Sequence, residues 1–127
     1  MVAKLISQRK LSSLKLEWQK KLRLKDWTIK ICYSPRELVQ ELTGCEAVGM
    51  CECFAEAKVA KIHVVKPRDE EGERSQDIEN TVVHELLHCH FEAFQKAEPI
   101  VKLHIEQVVE ILADALLAEK RGKKRGS

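Results

Sequence analysis

Apolar positions recur at three- and four-residue steps through residues 3–24. Leu11, Leu14, Trp18 and Leu22 share one side, while Lys10, Lys15, Lys20, Lys21 and Arg23 fill the other. That period predicts an amphipathic helix with one buried stripe. At Asp26 the period changes. Trp27, Ile29 and Ile31 alternate with Thr28 and Lys30, the two-residue repeat of a half-buried strand over residues 26–33. Ser34-Pro35 punctuates, and residues 36–42 can form a short helical turn. Two further extended stretches follow: residues 46–55, opened by Gly44, and residues 59–65. In the latter, Ala60, Ile62 and Val64 lie on one face, and Lys61, His63 and Val65 on the other. The two are expected to pair as a hairpin around residues 56–58, although no strong turn dipeptide marks the corner.

Residues 67–74 read as an acidic loop containing Gly72. Ser75 suits an N-cap, and Asp77 and Glu79 suit the positive end of a helix that runs to about Lys96. Its buried side is expected to hold Ile78, Val82 and Leu86, with Val83, Phe91 and Phe94 beside them. Glu98-Pro99 interrupts the pattern and starts a last helix over residues 100–119, because proline is favoured in a first turn. The apolar stripe of that helix reads Val101, Ile105, Val108, Val109, Leu112, Ala115 and Leu116. Helix, strands, helix, helix is the order of an α+β domain. The expectation is a small twisted, mostly antiparallel sheet packed on helices gathered on one side. One domain is expected over residues 1–121, with residues 122–127 as a frayed basic tail.

Composition narrows the classes. A chain of 127 residues suits one domain, and with aromatics at only 5% its core must rest on Leu, Ile, Val and Ala. No apolar run approaches the roughly 20 residues of a membrane helix. The N-terminal residues lack the pattern of a signal peptide, so cytoplasmic location is the expectation. The five cysteines, an odd number, argue against a disulfide framework. Net charge is +2 but uneven. Residues 1–36 hold ten Lys and Arg against two acids (+8), residues 37–98 six against fourteen (−8), and the remainder six against four (+2). The basic N-terminal segment is what a solvated helix face needs; it is also what a nucleic-acid or acidic partner would meet.

The chemistry concentrates in His84-Glu85-Leu86-Leu87-His88. Residues four apart lie on one face of a helix, so His84 and His88 can offer two imidazoles to one Zn²⁺ ion. Glu85, one position around, is placed to act as general base toward an attacking water without being a ligand. Roughly one shuffled chain in forty of this composition would show the pattern by chance, so its setting matters. It falls inside a capped helical pattern with Val82, Val83, Leu86 and Leu87 around it, where a buried metal helix carries its apolar residues. A catalytic zinc takes three protein ligands and leaves one position open. The last helix is expected to supply the third. Glu106 is the first choice, with Glu110 as a carboxylate that orients a ligand imidazole; the two roles can be exchanged, and His104 on the opposite edge is a further option.

These residues bring a family into view. The chain resembles small zincin-like metallopeptidases of the gluzincin type, especially compact ones of bacteria and phages. The likeness rests on the leading amphipathic helix, Leu24-Lys25-Asp26-Trp27-Thr28-Ile29, Ala60-Lys61-Ile62-His63-Val64, Thr81 to His88, and Glu106-Gln107-Val108-Val109-Glu110. Only the His-Glu-x-x-His part is sharply specific. The resemblance implies two helices holding zinc beneath a twisted sheet, with a peptide substrate along an edge strand. It also implies Glu106 as third ligand and Glu110 as support for a zinc-bound imidazole. No second lobe walls a cleft in this short chain, which implies a narrow or regulated protein substrate. Neighbouring zinc patterns fit less well: no glycine and third histidine follow as in metzincins, Phe94 stands where a three-histidine endoribonuclease pattern needs His, and His90 is too near His88 to share its ion.

Other residues invite weaker readings. His63 and Tyr33 are candidates to stabilise an oxyanion, set against ordinary strand positions. Cys51 and Cys53 share a strand face and could join Cys45 or Cys32 in a second zinc site, set against free thiols; Cys89 is expected to pack in the core. Residues 59–65 are a candidate edge strand for a peptide to join. Two functional alternatives stand beside peptide hydrolysis: a nucleic-acid-associated protein, including a protease acting on DNA-bound proteins, and a non-catalytic zinc-stabilised binding domain.

Overall fold

The computed structural model describes residues 6–45, 47–66, 77–92 and 98–124. Within them the order is α1 (Gln8–Lys21), β1 (Thr28–Ser34), α2 (Arg36–Thr43), β2 (Gly49–Phe54), β3 (Val59–Val65), α3 (Ile78–Phe91) and α4 (Pro99–Lys124). The class is α+β, as the sequence predicts. The loop over residues 67–74, the expected cap Ser75, and Phe94 and Lys96 lie outside the described residues. The cap that begins α3 is Asp77, whose carboxylate accepts from the amide of Asn80.

The sheet has the order β1-β3-β2. β3 pairs parallel with β1 and antiparallel with β2, so the sheet is mixed rather than mostly antiparallel. The expected hairpin forms, with Gly49 opposite Val64 and Phe54 opposite Val59. Its corner is turned by Lys58 in a left-handed conformation (φ 53°), where a glycine or asparagine signal would have announced it. β3 is therefore the central strand, and the expectation that it forms an edge is corrected. α2 and β2 lie between β1 and β3 in the chain, so the parallel pair they form leaves no local turn signature to read.

The main apolar cluster joins Leu11 and Trp18 of α1, Ile29, Ile31, Ala60, Ile62 and Val64 of the sheet, Val82, Val83, Leu86 and Leu87 of α3, and Val109, Ala113 and Leu117 of α4. α1 and α3 thus lie on one face of the sheet, and α4 packs on α3. α2 instead packs on β2 and β3, on the side toward which His63 and Val65 point, so the helices are not all gathered on one side. Gly44 ends α2 with φ 75°, a left-handed cap that glycine adopts without steric cost.

The last helix is rotated and extended relative to its predicted stripe. Val109, Ala113 and Leu117 are buried, and Ile105 and Leu116 pack against the core, whereas Val101, Leu112 and Ala115 are exposed. The helix continues through Lys124, past the residue 121 boundary expected for the domain. Its later turns are tied down by charge. Lys120 pairs with Glu79 and, at 2.9 Å, with Glu17; Arg121 makes two contacts with Asp77 at 2.9 and 3.1 Å. Trp18 Nε1 donates to Glu79 at 2.7 Å. This network joins α1, α3 and α4 and so fixes α4 against the helix that carries His84 and His88.

Candidate metal centre

α3 presents two working faces. His84 and His88, four residues apart, point toward α4, and their ring centroids lie 5.1 Å apart. Glu106 reaches them from α4: its Oε1 lies 2.8 Å from His84 Nε2 and its Oε2 3.1 Å from His88 Nε2. All three donor groups lie within 4.8 Å of one another. Donors at zinc distances of about 2.0–2.1 Å in tetrahedral array are about 3.3 Å apart, close to the two carboxylate–imidazole spacings here. Two imidazoles and one carboxylate are a donor set that suits a divalent transition metal. The described residues of this site could therefore hold a metal ion.

The electrostatics follow from that contact. The two imidazoles hold the Glu106 carboxyl far below the usual carboxylate range. Burial works against a charged ring at His84 and at His88, but the Glu106 carboxylate and the field of Glu85 outweigh it and raise both. Glu110, one turn further along α4, is exposed and adds to the negative field at His84. His104 is exposed and stands outside the cluster. Asp114 accepts from Asn80 at 3.0 Å, linking α4 to the start of α3.

The other face of α3 meets β2. Glu85 is buried there, and burial raises its carboxyl above the ordinary value against the opposing pull of His88 and His84. The backbone of β2 comes close at Gly49. A Cβ at that position would lie 2.6 Å from Thr81 Cγ2 and 3.2 Å from Glu85 Oε2. Glycine is thus what allows β2 to lie against the carboxylate. Comparison of the chain with protein-family models, curated proteins and solved structures finds no match.

The remaining sequence candidates fall elsewhere. His63 is buried on the opposite face of the sheet, with Nδ1 2.8 Å from Ser34 Oγ and Nε2 2.5 Å from Glu52 Oε1. It joins the three strands and does not face the histidine pair, so of its two readings the ordinary strand position is the one the structure shows. Tyr33 Oη donates to the Ile6 carbonyl at 2.8 Å, a tie to the start of α1. His90 Nε2 lies 2.7 Å from the Leu22 carbonyl. Cys45 is exposed, and Cys32 contacts Ser34 at 3.8 Å; neither joins Cys51 and Cys53. Sequence reasoning missed Gly49, although an isolated glycine in a strand pattern is a known sign of close backbone approach. No helix of the described residues is long and apolar enough to cross a membrane.

Proposed function

We propose that this chain is a zinc-dependent peptide hydrolase in which His84, His88 and Glu106 hold the metal and Glu85 is the general base. The observation that carries the reading is the convergence of both Nε2 atoms and the Glu106 carboxylate on one point, with Glu85 buried on the adjoining helix face. A bound zinc supplies Lewis acidity, polarising a carbonyl and bringing the pKa of water near neutrality. Glu85 then takes the proton from the attacking water as the new C–O bond forms, and returns it to the amine as the C–N bond breaks. Thr81 and the β2 backbone at Gly49 restrict where that carboxylate can sit. Apolar residues Val82, Val83, Leu86 and Leu87 in and beside the motif pack the helix into the core.

The substrate strand belongs with β2 in this reading. Among the described residues β2 has a strand neighbour on one side only, and it is the strand that lies against Glu85. An extended peptide can add to such an edge through backbone hydrogen bonds. A narrow or regulated protein substrate is the reading we favour.

The test is Glu85→Gln, which retains size and burial but cannot accept the proton. Wild type loaded with zinc should hydrolyse a casein or peptide-library substrate. The variant should bind the same zinc and turn over about 10²–10⁴-fold more slowly. Equal turnover by both would overturn the mechanism.

A further inference from the structure

We propose that Cys51, Cys53 and Cys89 form a second metal site, selective for a thiophilic ion such as zinc, that pins β2 to α3. Alternation along β2 sends Gly49, Cys51 and Cys53 to one face. On α3, Glu85 and Cys89 are one turn apart on the face turned to that strand. The two elements therefore meet in register, with Glu85 against Gly49 and Cys89 against Cys51. The Cys51 and Cys89 sulfurs are 3.9 Å apart, and the three sulfurs lie within 4.8 Å of one another.

That spacing matches a metal-thiolate polyhedron. Zinc–sulfur bonds of about 2.3 Å in tetrahedral array set sulfurs about 3.8 Å apart. A disulfide needs the sulfurs at about 2.05 Å, so Cys51 and Cys89 are in contact and unbonded. Thiolate sulfur selects zinc or copper(I) over magnesium or calcium. Cys51 is half-buried and Cys89 is buried, and a small fourth ligand such as water can complete a tetrahedral ion held by the three sulfurs. On binding, three thiols lose three protons to solvent and form three metal–sulfur bonds, with no change of oxidation state. The site is distinct from the histidine pair, which faces α4 from another side of the same helix. Its effect is mechanical, a metal staple holding the strand edge beside Glu85.

The experiment uses the full chain carrying His84→Ala and His88→Ala, so that only the thiol site remains. The reduced, metal-free protein is titrated with Co²⁺ and then Zn²⁺. We expect one equivalent of Co²⁺ with sulfur-to-cobalt charge transfer, displaced by one equivalent of Zn²⁺. Adding Cys53→Ser should abolish that band in a chain whose circular dichroism is unchanged. X-ray absorption of the zinc-loaded His84→Ala/His88→Ala protein should count three sulfur neighbours, a readout that needs no cysteine variant. No charge transfer while all five cysteines titrate as free thiols would overturn the site, as would a sulfur count of one or none. Loss of zinc from the histidine site alone, by Glu106→Ala in the otherwise unaltered chain, leaves this result untouched.

Discussion

Glu106 on α4 touches His84 on α3 at 2.8 Å, across 22 residues of chain. The same carboxylate reaches His88 with its other oxygen at 3.1 Å. One side chain from the closing helix thus bridges both imidazoles.

Measured with Cys53→Ser in the background, so that the cysteine cluster holds no ion, Glu106→Ala should therefore abolish tight metal binding at the histidine pair with little effect on folding, because the side chain is half exposed. Loss of groups that merely orient ligands costs about 10–100-fold in affinity, so loss of a ligand should exceed about 100-fold. Competition with a chromogenic chelator measures it. Zinc affinity equal to wild type would assign the third position to another group, and Glu110→Ala and His104→Ala would then be compared.

Gly49→Ala should destabilise the chain by about 1–3 kcal/mol, the usual cost of overpacking. The new methyl would meet Thr81 Cγ2 at 2.6 Å and crowd Glu85 Oε2 at 3.2 Å. Adding Thr81→Ser removes the clashing methyl and should recover part of that loss in urea unfolding. Activity should fall more than stability predicts, since Glu85 is displaced. A Gly49→Ala chain as stable as wild type would mean that β2 does not lie against α3 this closely.

Much of the site was legible in the sequence because helix geometry is local. His84, Glu85 and His88 need only the 3.6-residue period to be placed, and Glu106 needs only a second helix facing the first. The sheet was less legible. Strand alternation says which residues share a face, but it does not say which strand lies in the middle, and the parallel β1–β3 pair is set by contacts across 30 residues of chain (Thr28 with Val59 is 31 apart). That is why β3 was expected at an edge and lies in the middle. The stripe of α4 was placed partly on the wrong side for a related reason: Leu112 and Ala115 are apolar yet exposed, and Ala113 is buried, in the helix that packs on α3.

His63→Ala tests the corrected topology. His63 contacts Ser34 and Glu52 and is buried beneath α2, so its removal should cost stability, about 1–3 kcal/mol for a buried polar partner left unpaired. Zinc content should match wild type. Loss of zinc with stability intact would place His63 at the metal instead.

Acid should weaken the clamp between α1, α3 and α4 through Glu79. Burial opposes its charge, but hydrogen bonds from Lys120 and Trp18 and the Lys120 charge outweigh it and hold the carboxyl below its ordinary value of 4.5. A depressed carboxyl pKa means that the unfolded chain takes up the proton first. The stabilisation is thus complete above the unfolded value and is lost as pH falls through the lower folded one. Asp77, paired with Arg121, has the same sign. Urea midpoints measured from about pH 6 down to about pH 3 should fall steeply in wild type. In Glu79→Gln the midpoint should be lower at the upper end and its decline shallower, because one coupled proton is gone. A decline as steep as wild type's would assign the acid sensitivity to other carboxylates and leave this network without the role its geometry gives it.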